Sequence, residues 1–227
     1  MEQMASTESN NTITNSYISF LSNKDFPCVA AKDALAKGNI RIMVADHMAC
    51  PKDDREILDF IYAFTNMYRN SEKGFYSAAI IFKGPENINE KMFDMFMWQR
   101  LQSLKDLDVL QFSNDARVDA DPNSENFSFS LMEEAYFIVG LHPESSRQAR
   151  RFEYPALIFN PHAQFAEMKT AARYEKMKTI VRKRDMAYSG SVNPMLTDFG
   201  EASEVYQYSG RRYDSDWKCP LNFYKKR

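Results

Sequence analysis

Chemistry in this chain would have to come from four segments, and the first is Phe26-Pro27-Cys28-Val29-Ala30-Ala31. Pro27 suits the opening position of a helix, so a helix is predicted over Cys28–Lys37, stopping at Gly38. A cysteine in a first helical turn meets orphan N–H groups and the positive end of the helix dipole. Both favour thiolate. A thiolate can act as a nucleophile, a soft metal ligand or a haem axial ligand, whereas a small buried residue at a helix start would do no chemistry at all.

The second segment runs from Gly140 to Arg151 and begins where an apolar strand ends. His142 there could bind a metal or move protons near neutral pH. Arg147, Arg150 and Arg151 could grip carboxylates or phosphates with two N–H groups each, or simply decorate a charged loop. The third is Phe159-Asn160-Pro161-His162-Ala163-Gln164-Phe165, which sets His162 at the start of a long helix, as a ligand or as a cap. The fourth is the C-terminal stretch with Asn193, Glu201, Glu204, Tyr208 and Cys219. Its carboxylates could recognise a cationic substrate or hold an irregular tail in place.

Apolar runs or alternation predict strands around 40–44, 75–82, 135–141 and 155–159 to carry these segments. Helical periodicity marks 51–69, 88–107 and about 163–184. Residues 1–14 are polar and expected as a flexible tail, and 106–126 reads as an acidic loop. The expected fold class is α+β: a single domain over 15–227, with a central, mostly antiparallel sheet of about four to six strands flanked by helices. A long irregular C-terminal tail should pack onto it, because Tyr206, Tyr208 and Trp217 would otherwise lie in water.

Composition narrows the function classes. Hydrophobic residues make up 44% of the 227 and charged residues 26%, enough to bury a real core. Aromatics at 14% together with thirteen Met are suited to lining a large apolar cavity. The net charge of −2 supplies no basic field for nucleic acid or an anionic membrane surface. No apolar run reaches the ~20 residues of a membrane span, and Met1–Asn15 lacks the pattern of a secretion leader. Three scattered cysteines fit a reducing cytoplasm better than a disulfide framework. Phosphate-cradling Gly loops, CxxC, HExxH and GxSxG are all missing.

Taken in order, FPCVAAKDALAKG, LHPESSRQARRF, NPHAQF, VRKRD, GSVNP, DFGE, QYSGR and a near-terminal CP resemble the YqcI/YcgG family, over about Phe26 to Leu221. The likeness is nearest to the subgroup holding the haem-dependent guanidine N-hydroxylase of guanitoxin biosynthesis. One departure is Leu221, where the family usually has Phe after Cys-Pro. The resemblance implies a b-type haem with its iron, a small-molecule guanidine or amine substrate, O2 and a separate electron-donating reductase, with neither nucleic acid nor membrane as partner. Given a haem, Arg147, Arg150 and Arg151 could pair with its propionates, and Cys28, held as thiolate at a helix start, is the first candidate for the iron, with His142, His162 and Cys219 as alternatives. Glu201 and Glu204 would hold the guanidinium, with Tyr208 and Asn193 as hydrogen-bonding partners. A homodimer is the base-rate expectation. The competing readings are a haem-binding sensor or carrier without turnover, and an interaction domain without haem.

Overall fold

The computed structural model describes residues 2–165, 173–193, 195 and 201–222. Five strands form one sheet in the order β1 (Ile40–His47), β2 (Ser77–Gly84), β5 (Ala156–Pro161), β4 (Glu134–Leu141), β3 (Phe129–Leu131). Only β1 and β2 run parallel; the other neighbours are antiparallel. The class is the expected α+β, with helices on both sheet faces.

Strand alternation divides the core in two. One face carries Ile80, Phe82, Ile138, Leu157 and Phe159 against α3 (Asp54–Arg69) and α4 (Glu90–Asp108). Those helices form because Ile57, Ile61 and Phe64, like Phe93, Met97, Leu101 and Leu104, recur at helical spacing. Asn89 caps α4 by accepting the Met92 N–H at 2.9 Å. Each fully buried Ile, Leu or Phe of these stripes contributes about 1.5–3 kcal/mol. The opposite face, with Ala79, Ile81, Leu141 and Ile158, meets α1 (Glu2–Ser22) through Ile13, Tyr17 and Leu21. Beside them lies α2 (Val29–Ala36). This second face also packs α5 (Arg173–Ser189) against α2.

Three expectations need correction or completion. The segment 1–14, expected as a loose tail, is helical from Glu2, and Ile13 within it is only 3% exposed. A single apolar residue anchoring a polar stretch gives little periodic signal. The short strand β3 was missed. It joins β4 through a two-residue turn, Met132 and Glu133, both with positive φ (52° and 57°), where no Asn-Gly marks it. Arg69 donates to both turn carbonyls, at 2.8 and 3.0 Å, and so holds that turn from outside. Of the long helix expected over 163–184, residues 163–165 are helical, 166–172 lie outside the described residues, and α5 extends to Ser189.

The C-terminal stretch is packed, as expected. Buried Asp94 of α4 receives Trp98 Nε1 at 3.0 Å, the Tyr213 hydroxyl, and Arg211 at 3.3 Å. Tyr208 and Leu221 are buried in the larger core. Among the described residues no helix is long and apolar enough to cross a membrane.

Candidate functional site

On the α2 and α5 side of the sheet lies a half-enclosed cavity of about 430 Å³, within the ~300–1,000 Å³ typical of small-molecule and cofactor sites. Its back wall comes from alternate strand positions: Ser77 of β2, Asn160 of β5, and Phe137 and Val139 of β4. Register sets this, since Phe137 pairs with Asn160 and Val139 with Ile158, placing all four side chains on one face. One side wall is α2, where Ala30, Ala31 and Ala34 present small, flat contacts. The other is α5, with Met177, Lys178, Val181 and Arg182. His162, Gln164 and Phe165 enter from the chain leaving β5, and Glu204 and Gln207 from the C-terminal stretch.

The polar strip of the back wall is satisfied within the protein. Ser77 donates to Asn160 Oδ1 at 2.6 Å, and Asn160 Nδ2 donates to the Phe137 carbonyl at 3.1 Å. Gln164 accepts the Tyr76 N–H at 2.8 Å and donates to the Tyr76 carbonyl at 3.2 Å. These groups shape the cavity and leave chemistry to Cys28, His162 and Glu204.

Cys28 caps α2 instead of sitting in its first turn, and its sulfur accepts the Ala31 N–H at 3.5 Å. The expected thiolate is corrected as well. Burial raises the thiol above its ordinary range, and this outweighs the Ala31 and Ala30 amides and the Arg150 charge, which pull it down. His162 follows β5 directly, as expected, and its backbone N–H donates to the Ala135 carbonyl at 2.8 Å. Its Nε2 stands 3.9 Å from Glu204 Oε2.

Glu204 is buried in the cavity wall. Its Oε1 accepts the Ser128 hydroxyl at 2.8 Å and the Tyr208 hydroxyl. Burial raises this carboxyl to about 8 although both hydroxyls favour the charged form. At neutral pH the half-enclosed site therefore holds a protonated acid beside an imidazole.

The other named residues go elsewhere. Tyr208 is buried behind Glu204, and its hydroxyl also accepts the Phe129 N–H at 3.1 Å, so it orients the carboxyl without lining the cavity. Glu201 is exposed and Asn193 turns its Oδ1 to the Met195 N–H at 3.0 Å; neither lines the cavity. Asp198, Phe199 and Gly200 lie outside the described residues. His142 is 0% exposed, stacked 4.4 Å from the Phe93 ring on the opposite side of the sheet from the cavity. Cys219 is half-buried against the larger core, where burial pushes its thiol up to about 12.

The arginine cluster is also a correction. Arg147 pairs with Asp185 at 2.6 Å, Arg150 donates to the carbonyls of Gly140, Gln207 and Tyr208, and Arg151 donates to that of Ser145. Arg147 and Arg150 join chain segments and Arg151 braces its own loop, because the loop after β4 folds under the C-terminal stretch instead of rimming the cavity. Lys178 and Arg182 are the cations that reach the cavity, from a helix whose basic sequence reads as a solvated surface.

A flat iron macrocycle needs an apolar slot, one strong axial ligand and cations for its carboxylates. The lining meets these needs with its aromatic and aliphatic walls, with Cys28 or His162, and with Lys178 and Arg182. The residues fit the group.

Fold and site together define an α+β protein whose sheet backs a half-enclosed, mainly apolar cavity with a thiol, an imidazole and a buried carboxyl on its walls. The chain belongs to the YqcI/YcgG family, whose model matches residues 17–222. No curated protein and no solved structure gives a match.

Proposed function

We propose that this protein is a haem-dependent monooxygenase, akin to the guanitoxin-pathway subgroup of its family, that N-hydroxylates a guanidine or related amine nitrogen of a small, arginine-like molecule. The observation that carries the reading is the meeting of Cys28, His162 and Glu204 on one apolar cavity. A b-type haem bound there would supply O2 binding and the transfer of one oxygen atom, with electrons from a separate reductase.

The chain's own residues bind and orient. Cys28 is the proposed iron ligand: it would bind as thiolate, the metal's charge lowering the thiol pKa and water taking the proton, with the Ala31 N–H supporting the sulfur. Arg182, with Lys178 shared between Glu175 and the cavity, would neutralise the propionates. Glu204, held by Ser128 and Tyr208, offers a planar carboxylate to the guanidinium once its proton has left for solvent, and His162, 3.9 Å away, stands where it can pass that proton on.

The reduced, CO-bound spectrum of haem-loaded protein tests the ligand. Wild type is expected at the thiolate position, with Cys28→Ser shifting the band and His162→Ala leaving it in place. A globin-like wild-type position would give the iron to His162. No Soret band after haem supplementation would end the reading, and loaded protein that oxygenates no guanidine would leave a carrier or sensor.

Glu204 makes a second expectation, one of pH. Below about 8 a bound guanidinium must displace its proton, so affinity should rise about tenfold from pH 6 to 7 and level off above 8. Glu204→Gln should remove the slope and weaken binding at pH 8.5 by at least about tenfold. A variant that keeps the wild-type pH profile, measured by calorimetry, would put the recognition elsewhere.

A further inference from the structure

We propose that the outward face of α5 is the docking surface for an acidic protein that delivers single electrons to the cavity behind that helix. The inference rests on the haem reading above and names the partner of that same site. At 3.6 residues per turn, Lys176, Ile180, Lys183, Arg184 and Ala187 fall within an arc of about 100°. Lys178, Arg182 and Asp185 lie opposite them. Burial follows this division: the first five are exposed, while Lys178 and Arg182 line the cavity and Asp185 is bound to Arg147.

The outward cations have no counter-ions built for them. Among the described residues, Lys176, Lys183 and Arg184 make no ion pair, although the chain as a whole carries a net charge of −2. The acids of the helix are already engaged, Glu175 by Lys178 and Asp185 by Arg147. The cationic field reaches α2, where burial and then the Arg184 charge hold the Lys32 ammonium below its usual range against the opposing charge of Asp25. Like charges gathered in this way favour an acidic partner. Between the cations sit Ile180, 40% exposed, and at the margin Met186, 50% exposed, apolar contacts of the kind that form the centre of a transient interface.

Position adds the function. The inner side of the same helix is a cavity wall, so a protein seated on its outer side stands about one helix diameter, ~10–12 Å, from whatever the cavity holds. An oxygenase reaction consumes two electrons per oxygen atom inserted, and a one-electron carrier must dock twice. Rim charges suit that traffic, since they mainly speed association and leave a small interface free to part quickly.

The probe is a reduced plant-type two-iron ferredoxin, an acidic one-electron donor, offered to haem-loaded protein at low and high salt. The triple variant Lys176→Glu/Lys183→Glu/Arg184→Glu is expected to slow the second-order reduction at low salt by at least about tenfold and to flatten its salt dependence. Reduction by dithionite and the resting spectrum should not change. Glutamine at the same three positions should give an intermediate rate, which separates lost attraction from a folding defect. Wild-type rates in the triple variant would overturn the proposal. So would wild-type protein that binds anionic vesicles or duplex DNA through these residues as tightly as it binds ferredoxin. Titrating oxidised ferredoxin into the same proteins without haem keeps the two readings apart. Protein that stays colourless sinks the haem assignment, while loss of ferredoxin binding in the triple variant still decides the surface.

Discussion

Arg150→Met should lower the unfolding free energy by about 4.5 kcal/mol, a large share of the ~5–15 kcal/mol available to an ordinary domain. The Arg150 guanidinium donates to Gly140 O at 3.1 Å, Tyr208 O at 3.0 Å and Gln207 O at 3.0 Å. One planar group thus ties the last carbonyls of the 205–208 helical turn to β4. A bond to a charged donor contributes ~1.5–3 kcal/mol; the low end applies because Arg150 is only half-buried, and three such bonds give the figure. Burial and then the Arg147 charge bring its pKa down to about 10, so the group is still a cation at neutral pH. Arg150→Lys should recover less than half of the loss, because one ammonium cannot span three carbonyls fixed to a planar fork. Urea midpoints at unchanged m-value measure both variants. A loss below about 1 kcal/mol for Arg150→Met would mean that the clamp is not made in solution. The same variant should weaken guanidine binding, since Glu204 begins the turn that Arg150 holds.

Arg150 also shows what the sequence could reveal and what it could not. Strands β1, β2, β4 and β5 and helices α3 and α4 were legible, because a buried face imposes a period of 2 or 3.6 on apolar residues. Cys28 and His162 were legible as residue types at helix starts, and Glu204 as one carboxylate of the C-terminal stretch. Their meeting in one cavity was not, because it depends on strand register and on where the C-terminal stretch returns. Arg147, Arg150 and Arg151 read as anion-binding for the same reason that they serve as clamps: a guanidinium fits a carbonyl as well as a carboxylate, and sequence does not say which one it faces. Lys178 and Arg182 were lost within a basic helix that looks solvated all round. The cavity's back wall was hidden in a different way. Ser77 and Asn160 sit at strand ends, and only the pairing of β2 with β5 makes them neighbours.

The cavity and the clamp depend on each other in a way that orders the experiments. Glu204 is held at the cavity wall by Ser128 and Tyr208, and Tyr208 is fixed in turn by the Phe129 N–H and by Arg150. Substitutions along this line move binding and stability together, whereas Glu204→Gln preserves volume and both hydroxyl contacts. Glu204→Gln is therefore the informative change for recognition, and changes at Tyr208 or Arg150 report on support.

His142 should make the protein acid-sensitive, and His142→Phe should remove that sensitivity. The imidazole is 0% exposed, stacks on Phe93 at 4.4 Å, and neither ring nitrogen has a hydrogen-bond partner. Burial lowers its pKa from 6.5 to about 4; the Glu90 charge opposes the shift and the Arg150 charge adds to it. Above pH 6.5 the folded and unfolded chains both hold a neutral imidazole, and stability is full. Between 6.5 and 4 the unfolded chain takes a proton that the folded chain refuses, so stability falls with pH. Below 4 both forms are protonated and this group takes no more. The whole window is worth about 3 kcal/mol at ~1.4 kcal/mol per unit. Carboxylates also titrate near its lower end, so the wild-type curve alone does not isolate the effect. The difference between wild type and His142→Phe, from urea unfolding at several pH values, does. Phe keeps the ring stack and has no site for a proton, so its stability relative to wild type should rise steadily from pH 6.5 to 4, whatever its starting value. Parallel curves would mean that the folded protein accommodates the imidazolium, and that the unpartnered nitrogens find water or Glu90 in solution.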